Sequence, residues 1–529
     1  MSTPGEGIEP KDRLSDQNRT CCHYTTPDLG SSVSPERLVT GLALGSHLAL
    51  PLYDPPVAAA SQAPTVLIMA AGEGTRMRSA LPKVLHPVCG RPMIAWPALA
   101  AREAGAGRVI AIVAPDRDLT PGLPQGVETV VQPEPDGTGG AMRAALDAIA
   151  SSADVVVLSG DHPLVDAPMI EALLATHRGT GAAATVMTVE MDEPGSYGRI
   201  VRAEDGSVER IVETKHPDSV PAEILAIREV NTGTYCFAGP EFAEALGRIT
   251  NDNEAGEYYL GDVLPLLRAE GARISAHVAP DANANLGVNN RADLALAAAE
   301  ARRQILNRHM LAGVTIVDPA STWIDADVDI APDATIEPGT ALRGATTVGP
   351  DSVIGPHTTA TDATIGASTS VLRSHLEQCE VGNGCSVGPF SYLRPGARLA
   401  DGAKAGAFVE IKNSEIGEGA KVPHLSYVGD ADVGAGANLG ASTITANYDG
   451  RAKHRTKIGE GARIGVHTSL VAPVTVGDGA YTGAGAVIRE DVPADALGVT
   501  DAKQRNIEHH TKSPESRDQE SREEGPEEP

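Results

Sequence analysis

Short apolar runs alternate with helical patterns over the first half of the chain. The apolar run Val66–Met69 is followed by a glycine-rich turn, and an alanine-rich helical segment covers Ala95–Ala104. Further apolar runs occupy Val109–Val113 and Val155–Leu158. This alternation is typical of a mainly parallel, doubly wound α/β sheet, whose ligands bind at the carboxyl ends of its strands. We expect residues 64–290 to form such a Rossmann-like domain.

The periodicity changes after this region. Residues 291–312 contain no Gly or Pro and predict a long, stiff connecting helix. In residues 313–507, aliphatic side chains recur every six positions, a step too short for a helical hairpin. One inward aliphatic residue per step predicts a left-handed parallel β-helix of hexapeptide repeats. The residues that carry the period are Ile330, Ile336, Leu342, Val348 and Ile354, and later Ile458, Ile464, Leu470, Val476 and Ile488.

The phase of this repeat slips between its two regular runs. We expect interruptions to cluster between Pro389 and Lys457, the last of them a loop around Ala446–Gly450. Since a β-helix is only a scaffold, its function has to come from what interrupts it.

Composition narrows the possible partners. Aromatic residues make up only 3% of the chain and there are 56 glycines, so the interior is built from small and branched aliphatic side chains. A formal charge of −27 opposes nucleic acid and anionic membranes. The apolar stretch Leu38–Leu52 is too short to span a bilayer. We therefore predict no nucleic-acid partner, no membrane partner and a cytoplasmic protein.

The cysteines and the terminal segments complete this picture. Six sparse cysteines without metal-ligand spacing, apart from Cys21-Cys22-His23, predict free thiols in a reducing compartment. Residues 1–63 are expected to form a disordered extension, or to reflect a misread upstream start codon. Residues 508–529 are expected to form an acidic, disordered tail, because they hold too few apolar residues to fold.

A Gly-x-Gly turn follows the first predicted strand. Backbone N–H groups in such a turn approach phosphate oxygens, so a Rossmann dinucleotide site is one alternative. That alternative fits poorly, because Met77 replaces the third glycine and because Arg76 and Lys83 supply cations that a nicotinamide site does not require.

The motif Gly72-Glu-Gly-Thr-Arg-Met77 with Lys83 resembles the signature of sugar nucleotidyltransferases, and further segments extend the resemblance to residue 291. Together with the hexapeptide repeats, it is similar to the bacterial family of bifunctional N-acetylglucosamine-1-phosphate uridyltransferases and glucosamine-1-phosphate N-acetyltransferases. The resemblance implies a uridylyl site formed by Met69, Ala70, Ala71, Gly72, Arg76, Lys83, Gln132, Gly137, Thr138, Ser159, Gly160, Asp161, Gly198, Glu213, Asn231 and Asn289.

The chemistry of uridylyl transfer accounts for these residue types. Attack of a sugar phosphate on the α-phosphorus of UTP is catalysed mainly by positioning and by charge neutralisation. Arg76 and Lys83 are expected to clamp the triphosphate. The resemblance places Mg²⁺ on Asp161 and Asn289, with substrate phosphates completing its ligand shell. His162 is expected to be a neighbour of this site and not a metal ligand.

A second set of polar residues falls within the repeat region. Acetyl transfer to an amine requires a base that titrates near neutrality, and His424 is the candidate. Arg394 and Lys412 are suited to a sugar 1-phosphate. The resemblance adds Tyr427, Asn438 and Lys453 to the sugar-phosphate pocket, and Ala441, Asn447, Tyr448, Val466 and Ala484 to the acetyl-CoA site.

Two positions depart from the pattern of the resembling family. Val466-His467 stands where that family commonly has Ser followed by Asp, and Asp501 stands where a basic residue is common. Both departures lie on the acetyl-CoA side of the site, so they bear on acetyl-CoA binding and leave His424 unaffected.

Two alternative functions stay open at this point. One is a monofunctional sugar-1-phosphate nucleotidyltransferase with a β-helix tail, and the other is a non-catalytic regulatory scaffold of the same domain pair. The His424 segment and the intact Arg76, Lys83 and Asp161 favour two activities. Gln132 suits uracil, although a thymidylyl site would use similar backbone edges. The resemblance further implies a homotrimer with acetyl sites between subunits.

Overall fold

The computed structural model describes most of the chain between the two terminal segments. The predictions for residues 1–62, Cys21 and Cys22 among them, for Asp501 and for residues 508–529 lie outside the described part. The described residues are 63–214, 218, 220–253, 256–281, 287–500 and 503–507.

A mixed sheet forms the centre of the first domain. The strand Thr65–Met69 lies between the parallel strands Asp154–Ser159 and Arg108–Val113. These strands are almost wholly buried, as their uninterrupted apolar sequences require. The strand Glu229–Ala238 runs antiparallel to its neighbours, so the sheet is mainly but not entirely parallel, as predicted. The other strands of this sheet are Glu128–Val131, Ala184–Glu190, Arg199–Arg202, Val208–Val212 and Ile274–Val278.

Helices cover both faces of this sheet. The α-helices of the first domain are Ala95–Glu103, Thr138–Ala144, Leu146–Ala150, Ala167–Thr180, Ala222–Leu225, Gly239–Arg248 and Val263–Ala269. Short 3-10 helices are Thr75–Met77, Lys83–Leu85, Thr120–Gly122 and Leu260–Asp262, and a small two-stranded sheet pairs Pro87–Val88 with Arg91–Pro92.

The connecting helix runs over Arg291–Leu311, one residue shorter than predicted, with Ala312 as its carboxyl-terminal cap. Asn290 begins it with a capping box, in which its side chain accepts the backbone N–H of Asp293 while Asp293 accepts that of Asn290. Since Asp293 also accepts the N–H of Asn289 at 2.9 Å, the start of this helix fixes the position of Asn289.

Three parallel sheets follow, and they form the faces of a β-helix, which confirms the predicted fold. The first face comprises Thr315–Ile316, Thr335–Ile336, Val353–Ile354, Ser370–Val371, Ser386–Val387, Lys404–Ala407, Lys421–His424, Asn438–Leu439, Arg463–Ile464, Tyr481–Thr482 and Leu497–Gly498. The second face comprises Trp323–Ile324, Ala341–Arg343, Thr359–Thr361, His375–Glu377, Tyr392–Leu393, Glu410–Lys412, Tyr427–Gly429, Ile444–Ala446, Ser469–Val471 and Val487–Ile488. The third face comprises Asp329–Ile330, Thr347–Val348, Thr364–Ile365, Glu380–Val381, Arg398–Leu399, Glu415–Ile416, Ala431–Val433, Thr456–Ile458 and Val474–Val476.

The inward positions of the coils are the periodic aliphatic residues of the sequence, and all of them are buried. Thr482 takes one inward position, where its hydroxyl accepts the N–H of Gly465 at 2.9 Å. The phase slips where an inward step spans five residues instead of six, as between Val428 and Val433. Each of these shortened corners contains a residue with positive φ, namely Asp362, Arg373, Gln378, Asn413 and Asp430.

The predicted cluster of interruptions between Pro389 and Lys457 is wrong in its extent. Regular strands continue from Tyr392–Leu393 to Ile444–Ala446, because the five-residue corners absorb the slips without breaking the coil. In the part of the β-helix that the structure describes between those limits, only residues 447–455 leave the coil, as one loop.

The first domain contacts the β-helix through hydrogen bonds and an ion pair, and its Cys89 and Trp96 pack against the apolar cluster that the β-helix forms with the connecting helix. The Ala326 N–H donates to the carbonyl of Cys89 at 2.9 Å, and Arg91 forms an ion pair with Asp327. The four cysteines that lie in the described ranges are free thiols. No described helix combines the length and the apolar character needed to cross a membrane.

Candidate active sites

A cavity of about 550 Å³ opens at the carboxyl ends of the parallel strands of the first domain. Its position agrees with the rule for ligand sites in open α/β sheets. Ten of the predicted uridylyl-site residues line it, namely Met69, Ala70, Ala71, Gly72, Lys83, Gln132, Gly137, Thr138, Ser159 and Asp161.

Asp161 and Lys83 form an ion pair at the floor of this cavity. The Ser159 hydroxyl donates to the other carboxylate oxygen of Asp161 at 2.6 Å. Burial disfavours the charged carboxylate, but His162, Lys83 and the hydrogen bonds together lower the pKa of Asp161 below its ordinary value. Asp161 is thus held as a carboxylate beside a cation, an arrangement suited to phosphate and a hard metal ion.

Asn289 lies next to this pair although it comes from a distant segment. The N–H of Val288 donates to the Asp161 carbonyl at 2.9 Å, and Arg76 donates to the Asn289 side-chain oxygen at 2.8 Å. Asn289 lines an adjoining cavity of about 360 Å³, together with His162 and Tyr197. The two predicted metal ligands and both predicted cations are therefore neighbours.

Hydrogen bonds and a close backbone approach hold the opposite wall of the larger cavity. Gln132 is buried and its amide donates to the Gly137 carbonyl at 3.1 Å, while the Thr138 hydroxyl accepts the N–H of Leu260 at 3.0 Å. Gly137 has φ +101°, and a Cβ placed there would lie 2.6 Å from the carbonyl oxygen of Tyr258. Only glycine fits this approach.

Three further residues of the predicted uridylyl site, Gly198, Glu213 and Asn231, form a separate group. The Asn231 N–H donates to the Gly198 carbonyl at 2.9 Å, and a Cβ at Gly198 would lie 3.4 Å from a Glu213 carboxylate oxygen. The Asn231 side chain donates to the hydroxyl of Tyr235 at 2.8 Å. Gly160 contributes a backbone contact: its N–H donates to the carbonyl of Met69 and links the strand Asp154–Ser159 to the strand Thr65–Met69.

Five other residues line the larger cavity that the sequence did not predict, namely Glu73, Val84, Pro135, Ala141 and Glu257. Glu73 and Val84 lie beside predicted residues, so adjacency is a signal for them. Glu257 comes from a distant segment, held because the N–H of Tyr258 donates to the Asp136 carbonyl at 2.7 Å. No sequence signal pointed to it.

In the β-helix, the predicted sugar-phosphate residues gather where the second face meets the third. Lys412 ends its strand beside Lys453, and the nearby Lys453 ammonium is the main cause of a lowered pKa at Lys412. The amide of Asn447 donates to the Tyr427 hydroxyl at 3.4 Å. Arg394 lies on the same face and donates to Glu410 at 2.7 Å. Arg394, Lys412 and Lys453 give this cluster a strong positive charge, as a phosphate site requires, and together with Tyr427 they form the cationic group.

The predicted base and most acetyl-CoA residues lie at the corner between the first and second faces. His424 is exposed, and its carbonyl accepts the N–H of Ser442 from the next coil at 3.2 Å. The carbonyl of Ala441 accepts the N–H of His467, and that of Val466 accepts the N–H of Gly485, each at 2.8 Å. His424, Ala441, Val466 and Ala484 therefore follow one another in a column along this corner.

Within one chain, the column and the cationic group lie at opposite edges of the second face, separated by the strand Tyr427–Gly429. Asn438 is on the first face, paired with Lys421 and Arg463, and is not in the cationic group. Tyr448 is exposed near the start of the loop 447–455.

Comparison with known proteins agrees with both halves of this description. Residues 66–259 match the MobA-like NTP transferase domain, and residues 455–490 match the bacterial transferase hexapeptide repeat. The bifunctional protein GlmU of Kineococcus radiotolerans is 48% identical over 84% of this chain and 91% of its own length. The proteins of that name from Streptomyces avermitilis and Mycolicibacterium paratuberculosis are 46% and 49% identical, over 84% of this chain and 93% and 92% of theirs.

The chain belongs to the GlmU family. Membership confirms the family predicted from the nucleotide motif and the hexapeptide repeat. The chain is accordingly a bifunctional enzyme with a nucleotidyltransferase domain and a hexapeptide acyltransferase domain, and it acts on small molecules. GlmU membership excludes the monofunctional enzyme and the non-catalytic scaffold as descriptions of the chain.

Proposed function

We propose that the β-helix acetylates glucosamine 1-phosphate with acetyl-CoA, and that the first domain couples the resulting N-acetylglucosamine 1-phosphate to UTP. The products are UDP-N-acetylglucosamine, a precursor of cell-envelope polymers, and pyrophosphate. The observation that carries the proposal is the presence of two unlike sites. One is a cavity with a paired lysine and aspartate, and the other is a β-helix face with a histidine at one edge and a pair of lysines at the other.

In uridylyl transfer, a phosphate oxygen of the sugar attacks the α-phosphorus of UTP and pyrophosphate leaves. Lys83 and Arg76 hold the triphosphate and neutralise the charge that develops on it. Gln132 and the backbone at Gly137 bind the uracil ring, while Gly198, Glu213 and Asn231 bind the amino sugar. The close approach of the Gly137 and Tyr258 backbones, which leaves no room for a side chain at Gly137, supports this orientation.

Asp161 and Asn289 are the residues that would hold Mg²⁺. Both offer oxygen donors, and the described residues contain no cluster of three or more His, Cys, Asp or Glu residues that could hold a metal. That donor set fits a hard ion whose shell is completed by substrate phosphates and water, and does not fit a structural zinc site. When bound, the ion would neutralise phosphate charge.

In acetyl transfer, the amine nitrogen of glucosamine 1-phosphate attacks the thioester carbonyl and the C–S bond breaks, releasing CoA. His424 accepts the proton that the amine loses. Arg394, Lys412, Tyr427 and Lys453 hold the sugar phosphate. Asn438, which lies on the first face and outside this group within one chain, completes the site in the assembly. The pantetheine arm follows the corner column of Ala441, Val466 and Ala484, and Asn447 and Tyr448 hold the acetyl end.

We further propose that three copies of the chain associate through the β-helix. Phe390 and Phe408 stack at a centroid distance of 5.2 Å on the same corner as His424, and Leu425 extends the stack. Each of these side chains is more than half exposed in the single chain. An exposed apolar ridge next to a candidate base supports a site completed by a second subunit. The enzyme is expected to act in the cytoplasm.

Two substitutions test the two-site proposal. His424→Ala is expected to abolish acetylation while leaving uridylyl transfer within twofold, and Asp161→Ala is expected to do the reverse. Purified protein is incubated with glucosamine 1-phosphate, acetyl-CoA, UTP and Mg²⁺, and products are weighed by mass spectrometry. Omitting each reactant in turn separates the steps, and replacing UTP by dTTP tests nucleotide choice. Loss of both activities from one substitution, without unfolding, would contradict two sites.

A further inference from the structure

Asp430 is a buried carboxylate beside the cationic group, and no step of the proposed acetyl transfer uses it. It is 7% exposed and is the single residue between the strands Tyr427–Gly429 and Ala431–Val433. Its φ of +50° belongs to one of the five-residue corners. An ionised group in such a position has to have its oxygens satisfied, because burying an unpaired charge is costly.

Both carboxylate oxygens of Asp430 accept side-chain amides. Asn413 donates to one oxygen and Asn447 to the other, each at 2.6 Å. The backbone carbonyl of Asp430 also accepts the N–H of Thr456 at 3.0 Å. Asn447 begins the loop 447–455 and Thr456 follows its last residue, so one residue holds both ends of this loop.

The same loop contains Lys453, one of the two lysines of the cationic group. The nearby Lys453 ammonium lowers the pKa of Lys412, and the negative charge of Asp430 opposes that shift. Two ammonium groups so close repel each other in the absence of an anion. The carboxylate of Asp430, held in place by Asn413 and Asn447, offsets part of this repulsion.

We propose that Asp430 is a positioning residue of the acetyl-transfer site, which fixes Asn447 and the loop that holds Lys453 without touching the substrate. This inference rests on the proposed acetyl transfer. A carboxylate is required because two amide donors face it: an Asn in its place would present its own NH₂ group to one of them, and would carry no charge.

A double-mutant cycle tests whether Asp430 acts through Asn447. Asp430→Asn is expected to raise the Kd of glucosamine 1-phosphate, measured by calorimetry, about 10- to 100-fold, the effect of losing a charge-assisted hydrogen bond. KM rises similarly, whereas kcat at saturation stays within about threefold. Combined with Asn447→Ala, the increase is expected to be smaller than the product of the two single increases. The proposal would be overturned if the increase in Kd of the double variant equalled the product of the two single increases, or if Asp430→Asn left binding unchanged.

Matched controls separate positioning from general damage. Asp401→Asn makes the same change at an exposed corner carboxylate, which accepts the N–H of Asn383, and is expected to leave binding unchanged. Uridylyl activity of each preparation reports folding of the first domain, and thermal unfolding reports that of the β-helix. If the wild-type chain does not bind or acetylate glucosamine 1-phosphate, the proposed function itself is wrong. If the wild type is active but Asp430→Asn binds equally well, only the positioning role is wrong.

A second comparison serves if Asp430→Asn does not fold. Asn447→Ala and Asn413→Ala each remove one amide donor to Asp430, but only Asn447 lies on the loop. Asn447→Ala is therefore expected to weaken binding at least tenfold, and Asn413→Ala less than threefold. Equal losses in the two variants would contradict a role exerted through the loop.

Discussion

Gly137 shows how a single residue shapes the nucleotide cavity. Gly137→Ala places a methyl group 2.6 Å from the Tyr258 carbonyl oxygen at a φ of +101°. We expect it to destabilise the first domain by about 1–3 kcal/mol, as strained backbone does, and to reduce uridylyl transfer more than tenfold while sparing acetylation. Urea unfolding and the two activity assays measure these effects. Gly179→Ala, in a helix with open space around it, is the control and is expected to be neutral or stabilising.

At the residue scale, the sequence predicted side chains that follow apolar strands directly. Met69, Gly72 and Asp161 come from strand ends, and the parallel sheet brings them to one edge. Glu257 was missed because a long-range backbone hydrogen bond, not adjacency, brings it to the cavity. Asp430 was missed for a similar reason: its partners come from neighbouring coils, and their alignment depends on how many residues each corner contains.

At the element scale, a period of six was sufficient to predict the β-helix, since each inward aliphatic residue is buried where it was expected. The extent of the interruptions was predicted wrongly, because a five-residue step looks like a break in the sequence. In the structure it is a tighter corner with one residue at positive φ, as at Asn413 and Asp430. Side-chain type alone does not reveal that conformation, since Asp, Arg, Gln and Asn all adopt it here.

Gly434, at another corner of the β-helix, lies too close to the next coil to carry a side chain. A Cβ at Gly434 would lie 2.5 Å from the backbone nitrogen of Glu460 in the next coil. Gly434→Ala is therefore expected to destabilise the β-helix by about 1–3 kcal/mol through overpacking. Differential scanning calorimetry measures it, with Gly247→Ala on an exposed helix surface as the control. An unchanged unfolding midpoint in Gly434→Ala would show that the coils separate more easily than their hydrogen bonds suggest.

At the scale of the whole molecule, acid is expected to destabilise the first domain and its connecting helix. Burial lowers the pKa of His86, His177, His277 and His309. In the unfolded chain a histidine takes up its proton near pH 6.5. The stability these groups contribute is therefore complete above that pH, and it is lost as the pH falls through their lower folded-state values.

The measurement is thermal unfolding of the first domain, followed by loss of uridylyl activity at pH 7.5 and at pH 5.5. The midpoint is expected to fall at the lower pH. His177→Gln removes one of the buried titrating groups, so the difference between the two midpoints is expected to shrink. If that difference stays as large as in the wild type, protonation of His177 does not contribute to acid destabilisation.

The apolar ridge of Phe390, Phe408 and Leu425 connects assembly with chemistry, because it continues the corner on which His424 stands. If a second subunit covers this ridge, Phe408→Glu buries an unpaired charge in the interface, and the trimer is expected to dissociate at micromolar concentration. Acetylation should fall when the trimer dissociates, because within one chain the column that contains His424 and the cationic group lie at opposite edges of the second face. Uridylyl transfer should persist. Analytical ultracentrifugation measures the change in mass.

Leu311→Glu, at an exposed position on the connecting helix, is the matched control and should remain trimeric. A monomeric wild type that acetylates would place the acetyl site within a single chain, and a Phe408→Glu variant that stays trimeric would show that the ridge lies outside the interface.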